Sequence, residues 1–422
     1  MIFFKKLQTL FTDPGLRKSL LFTALILALF RLGANIPIPG IDMVALNQYL
    51  SDNSFLGLLN LFSGGGLSNL SIFMLGVGPY ITSTIILQLL TMVFPKLKEM
   101  YHEEGEIGRK KFSQYGRLFT IPLALVQGFG LLVLLRNQGV LLDADAFAMA
   151  INVIVVMGGS VLLMWMGELI SEFGVGNGVS LLIFAGIVAG FPTALSQIFI
   201  LFDATQIPIY IAFAVLAVVV TAAVVFITEA ERPIPVTYAK RVRGMKMFGG
   251  VSTYLPLRLN QSGVMPIIFA LAILLFPQMI GTFLIGINNS VAQVVGGFLS
   301  GLVSNLWLYG VLYFILVFLF TYFYTAVTFD PEKISENLQK SGAFIPGVRP
   351  GEKTSGYIAS VLTRLTLVGA LFLGFVAVLP LILQGVTGIQ ALTIGGTGLL
   401  IVVSVVLDVM KKVDAQLSMR EY

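Results

Sequence analysis

Few residues of this 422-residue chain are equipped for bond-making chemistry. It has no Cys and a single His, His102, which sits in a charged stretch. A thiolate nucleophile, a disulfide framework and a thiolate metal site are therefore absent, and His-based metal or proton-relay chemistry is nearly excluded. No His-Glu-x-x-His helix, paired Asp or Ser–His pair falls in an apolar run, so hydrolysis within a membrane lacks its machinery. The glycine-rich GVGNG at 174–178 has neither the preceding strand nor the Lys of a phosphate loop. It reads instead as a tight turn leading into a helix capped near Asn177 or Ser180. No catalytic residue, metal or cofactor is expected.

The elements around these residues explain the poverty. The chain is 57% hydrophobic and 11% charged, against about 25% charged in a soluble domain. A bilayer core of ~30 Å needs ~20 mostly apolar residues per helix. Windows that qualify run near 19–36, 71–94, 117–135, 147–167, 179–198, 207–228, 263–285, 306–327, 359–383 and 391–409. The expectation is an all-α integral membrane protein with ten transmembrane helices. The window at 179–198 is the weakest, interrupted by Gly186, Gly190 and Pro192. The N-terminal MIFFKKLQTLFTDPGLRKS lacks a small-residue cleavage site and is not expected to be removed.

Basic residues orient the spans. If both termini are cytoplasmic, 24 of the 26 Lys and Arg lie on the inner side, and only Arg31 and Arg136 fall at or near the outer one. That is the positive-inside asymmetry, and it accounts for the net charge of +5 without invoking nucleic acid. Two inner loops, 229–262 and 328–358, are long, basic and rich in Gly and Pro. They are either topology anchors or a docking surface for an anionic partner.

One apolar segment matches no span. Residues 55–70 read FLGLLNLFSGGGLSNL, with Leu58, Leu59 and Phe62 followed by Gly64, Gly65 and Gly66. A helix from Phe55 to Phe62 is only ~12 Å long. The segment is either re-entrant, lining a cavity, or amphipathic and lying on the outer surface. Next, Gly76, Gly78 and Pro79 predict a break in the second span, with a straight helix from about Pro79. Ile81 and Ile85 then share a face, and Ser83 and Thr84 suit a seam between membrane helices.

Residues 71–90 resemble the first signature of the SecY/Sec61-alpha family of channel-forming subunits, with Ser71, Gly76, Pro79, Ser83 and Gln88 at the family's spacing. WMGELISEFGVGNGVSLL at 165–182 resembles the second signature. NIPIPGID at 35–42, YAKR at 238–241, KSGAFIPGVRPGEKT at 340–354, TRLTLVGA at 363–370 and GGTGLLIVV at 395–403 extend the likeness along nearly the whole chain.

The resemblance implies two inverted five-helix halves, 1–200 and 201–422, around a pore for unfolded preproteins in the cytoplasmic membrane. It implies a constriction of Ile81, Ile85, Ile183, Ile187, Ile268 and Ile401. Taken singly, each is ordinary helix packing, and only the resemblance singles them out. Segment 55–70 becomes the plug of the outer funnel. The second and seventh spans become a lateral gate toward lipid, with Gln88 and Asn260 as polar candidates on it. Gln88 equally suits a plain interhelical hydrogen bond. Arg349, on the Pro-Gly turn of GVRPG, and Arg241 become the docking residues for the SecA motor or the ribosome. The small subunits SecE and SecG are the implied membrane partners.

The rival from another class is an ion-coupled secondary transporter, which needs titratable residues at mid-membrane. Arg31, Glu168 and Asp408 lie toward span ends, and the centres of the spans hold essentially none.

Overall fold

The computed structural model describes residues 14–43, 45–46, 60, 63–141, 145–200, 207–238, 241–243, 246–248, 252–285, 289–387 and 391–418. In chain order the helices are α1 (Pro14–Gly33), α2 (Gly78–Val93), α3 (Pro95–His102), α4 (Gly105–Asn137), α5 (Ala146–Phe173), α6 (Gly178–Ile200) and α7 (Ile207–Glu229). Four strands follow: β1 (Glu231–Tyr238), β2 (Arg241–Arg243), β3 (Lys246–Phe248) and β4 (Ser252–Arg258). The remainder is α8 (Met265–Ile285), α9 (Ser290–Ser304), α10 (Leu306–Thr328), α11 (Pro331–Lys340), β5 (Ala343–Phe344), α12 (Glu352–Thr387) and α13 (Ala391–Ser418).

Each of the ten apolar windows falls on a helix, and among the described residues four helices are long and apolar enough to cross a membrane unaided. A fifth, α2, bends by 115° into α3. Pro95 causes the bend, because Phe94 before it is pushed to an extended conformation (φ −105°, ψ 109°). α2 starts at Gly78 with Pro79 in its first turn, as the break at 76–79 predicts.

The chain divides into two compact units. The first comprises Met1–Phe213, Ala272–Tyr309 and Pro380–Tyr422. Its helices meet through small residues. The Ser83 hydroxyl of α2 donates to Gly116 O of α4 (2.7 Å), and the Ser160 hydroxyl of α5 donates to Gly76 O (3.1 Å). Such seams let backbones approach where no hydrophobic force favours helix over lipid. Beneath them lies a core of Leu67, Leu70, Met74, Leu132, Leu135 and Val156, among others. On α5, Glu168 pairs with Arg117 of α4 at 2.6 Å.

The second unit comprises Ala214–Leu271 and Gly310–Leu379. Here both long loops contain regular structure among the described residues. β1 pairs antiparallel with β4, Ile234 opposite Leu255, and its far edge takes β5 at Thr237 and Tyr238. Ile234, Val236, Leu257, Ala343, Ile345 and Ile358 form a dry core under this sheet, with Leu338 of α11 and Val348 packed against it. α11 is capped by Asp330, whose Oδ1 accepts from the amides of Glu332 and Lys333 (3.0 and 3.3 Å).

Candidate functional site

The described part of the glycine-rich segment is irregular and largely buried. Leu58, Leu59 and Phe62 lie outside the described residues. From Ser63 to Leu70 the backbone turns repeatedly without forming a helix, and Ser63, Leu67 and Leu70 are buried. Non-helical backbone is tolerated at membrane depth only when protein surrounds it or water reaches it. Its polar groups are accounted for locally. Asn60 closes the loop, its Oδ1 accepting from Ser68 N (2.8 Å) and its carbonyl from Gly65 N (2.9 Å). The stretch after α1 flanks it, with Ile38 N donating to Leu70 O (2.9 Å) and Ile72 N to Ile36 O (3.1 Å).

Two glycines here are required by geometry. Gly64 and Gly65 sit at φ +68° and +82°, which a side chain would oppose. Gly64 also meets Gly186 of α6 backbone to backbone, so a Cβ on Gly186 would land on the Gly64 Cα. Arg31, in the last turn of α1, donates to Gly64 O (3.1 Å). The loop is thus held between α1 and α6. Gly186 was legible in the sequence only as an interruption of a span. The signal was a Gly within an apolar helix, the residue that permits close backbone contact, but Gly190 one turn on carries the same signal and makes no such contact.

All six isoleucines, Ile81, Ile85, Ile183, Ile187, Ile268 and Ile401, are buried. Ile183 and Ile187 stack one turn apart on α6. Ile187 Cγ2 lies 2.9 Å from where a Cβ on Gly398 of α13 would be, and Ile401 follows Gly398 on the same face. The structure therefore brings the α6 and α13 members together. Ile81 and Ile85 lie on α2, whose neighbours include α4 and α5. Ile268 belongs to the second unit. No Asp, Glu, Lys or Arg among the described residues is buried.

The two polar candidates differ in their surroundings. Gln88 is buried, and its Oε1 has no hydrogen-bond partner among the described residues. Asn260 is engaged in its own turn, Nδ2 donating to Gly263 O (3.1 Å) and Oδ1 accepting from the Ser262 hydroxyl (3.0 Å). In the second signature, Asn177 is the residue that caps α6, its Oδ1 accepting from Ser180 N at 3.3 Å. The GVGNG turn is tied to α5 by Gly178 N donating to the Ser171 hydroxyl (2.8 Å), and to α1 by Val175 N donating to the Thr23 hydroxyl (3.2 Å).

Arg349 is exposed on a pinned turn of the second unit. Gly347 and Gly351 have φ +83° and +94°. The Thr354 hydroxyl holds Arg349 O (2.9 Å) and the Ser335 hydroxyl holds Gly351 O (2.7 Å). The backbone is fixed while the guanidinium is left outward. Arg241 opens β2, opposite Phe248 of β3.

A SecY family model matches residues 71–410. The protein translocase subunit SecY of Mycobacterium bovis is 42% identical, covering 96% of this chain and 96% of that one. This chain belongs to the SecY family. Two solved structures share its fold. One concerns the plug domain of SecY, said to stabilise the closed translocation channel and maintain a membrane seal (TM-score 0.64, 20% identity, 95% of this chain and 92% of that one). The other is Sec61 in a canine ribosome–channel complex from the endoplasmic reticulum (TM-score 0.60, 18% identity, 95% and 92%).

Proposed function

We propose that this chain is the central pore subunit of a protein translocation channel in the cytoplasmic membrane. It passes unfolded preproteins across and releases transmembrane segments sideways into lipid. One observation carries the reading: in this strongly apolar chain an irregular glycine-rich loop is buried between α1 and α6, the kind of setting in which non-helical backbone is tolerated at membrane depth. Segment 55–70 acts as the plug. Ile81, Ile85, Ile183, Ile187, Ile268 and Ile401 form the constriction. A ring of β-branched apolar side chains rejects ions by dewetting, and offers no hydrogen bond by which to choose among passing side chains.

The halves 1–200 and 201–422 are inverted repeats, and both termini are cytoplasmic, as the 24-of-26 division of Lys and Arg favours. α2 and α8 form the lateral gate. Gln88 is the stronger polar candidate on it, because Asn260 is already committed to its own turn. Arg349, with Arg241 second, docks a motor or ribosome. The outward guanidinium on a fixed turn supports this, as does the ribosome bound by the canine relative. SecE, SecG and SecA complete the assembly, the motor or ribosome supplying the energy, and the chain itself has no catalytic role. The transporter reading is disfavoured by the lack of buried ionisable side chains among the described residues.

Proteoliposomes containing the chain with SecE and SecG test the proposal. Given SecA and ATP, a signal-bearing preprotein should become protected from external protease. Accumulation of small solutes with no preprotein protection would instead favour the transporter.

A further inference from the structure

Helix α9, which no apolar window anticipated, wears its apolar side outward. At 3.6 residues per turn, Val291, Val294, Val295 and Phe298 share one face, and Gln293, Gly297 and Ser300 lie around the other side. The four apolar residues are all exposed, Val294 by 73% and Phe298 by 67%. The flank that packs carries Gly296 and Ser300, while Gln293 and Gly297, between it and the apolar face, are exposed. Gly296 and Ser300 press on Gly281 of α8, where an added Cβ would sit 2.9 Å from Gly296 O and 2.7 Å from Ser300 Oγ. A helix on a watered surface does the reverse, since burying the apolar stripe is what holds it down. Small residues against a neighbouring span are the packing of a helix in lipid.

The tethers identify what covers the exposed face. α9 is separated from α8 by residues 286–289 and from α10 by Asn305 alone. Four residues reach at most ~14 Å, so α9 cannot leave the membrane surface. At ~22 Å it is also too short to cross a ~30 Å core. Trp307, 63% exposed at the start of α10, is the kind of side chain that settles at the headgroup level. No charged residue occurs between Arg258 and Asp330, so no charge on α9 draws it toward a charged partner.

We propose that α9 is an interfacial anchor, lying in the membrane plane with Val291, Val294, Val295 and Phe298 sunk into the acyl boundary of the bilayer. Lacking Lys and Arg, it holds by apolar burial and does not require anionic lipid.

The absence of Cys permits a clean test. Val294→Cys, Phe298→Cys and, as a reference, Gly297→Cys are each labelled with an NBD fluorophore. The full chain is reconstituted with SecE and SecG in phosphatidylcholine vesicles. Probes at 294 and 298 should be blue-shifted, lose most of their emission to nitroxide on a shallow acyl carbon, and resist aqueous iodide. The probe at 297 should show the opposite pattern. Adding phosphatidylglycerol should leave all three unchanged. Iodide quenching at 294 and 298 would overturn the proposal, since the face would then be in water. Protection from both quenchers would overturn it too, giving the face to a protein partner.

Discussion

The closed state should depend on the absence of a single methyl group at Gly186. A Cβ there falls on the Gly64 Cα and 3.1 Å from its amide nitrogen. Unstrained carbons sit ~3.5–4.0 Å apart, so in Gly186→Ala the loop must retreat by about 1 Å or more. The obstacle is backbone, held by Asn60 and Arg31, so no rotamer change relieves it. Overpacking of this kind costs ~1–3 kcal/mol. Alanine also improves helix propensity by ~1 kcal/mol, but α6 is helical whether or not the loop is seated, so that gain cancels. The strain acts only on the seated loop. At ~1.4 kcal/mol per tenfold, the unseated population rises about 5- to 150-fold while it remains minor. The assay is resting conductance in planar bilayers. The control is Gly190→Ala, one turn along α6, where a Cβ meets nothing within 4 Å. Gly186→Ala should leak and Gly190→Ala should not. If the two are equally tight, the loop does not seal the channel.

Three further outcomes are expected. Cys placed at Lys246 or Gly347 should react with impermeant reagent only from the cytoplasmic side; labelling of intact spheroplasts from outside would reverse the topology. Arg349→Glu should block translocation with the protein still folded in the membrane, because charge reversal harms docking to an anionic surface more than it harms the spans; normal secretion would remove Arg349 from the functional residues. Thr23→Val should lower thermal stability by ~1–3 kcal/mol, since Val175 N–H loses its buried acceptor, whereas Thr23→Ser should retain most of it; equal midpoints for the two variants would contradict that role.

What the sequence revealed followed from strong local signals. Ten apolar windows landed on ten helices because lipid leaves the backbone few other options. Gly76, Gly78 and Pro79 marked the start of α2, and the cap of α6 was narrowed to Asn177 or Ser180, of which Asn177 caps, because those residue types act within one turn. The sheet in the second unit was hidden by composition. Pro233 and Pro235 argue against a strand, and the sequence shows this loop only as long, basic and rich in Gly and Pro. They are tolerated in β1 because β5 pairs only with Thr237 and Tyr238, so no neighbour on that edge asks for their missing N–H. α9 was missed because 15 residues with three glycines fall below any span test. The backbone contact of Gly64 with Gly186 joins positions 122 residues apart, and no local pattern reports it. The partner of Glu168 escaped for the same reason, since Arg117 lies 51 residues away.

The central claim is that a polypeptide passes through the isoleucine ring, and crosslinking tests it most directly. A preprotein arrested in transit carries one Cys at mid-chain. Single Cys residues are introduced at Ile85, Ile187 or Ile401, with Leu125→Cys, exposed on α4, as the control. The chain contributes no background thiol. The account predicts disulfides to all three ring positions when SecA and ATP drive the arrest, and none to position 125. Adducts at 125, or none at the ring while the preprotein is protease-protected, would place the path elsewhere and return these isoleucines to ordinary helix packing.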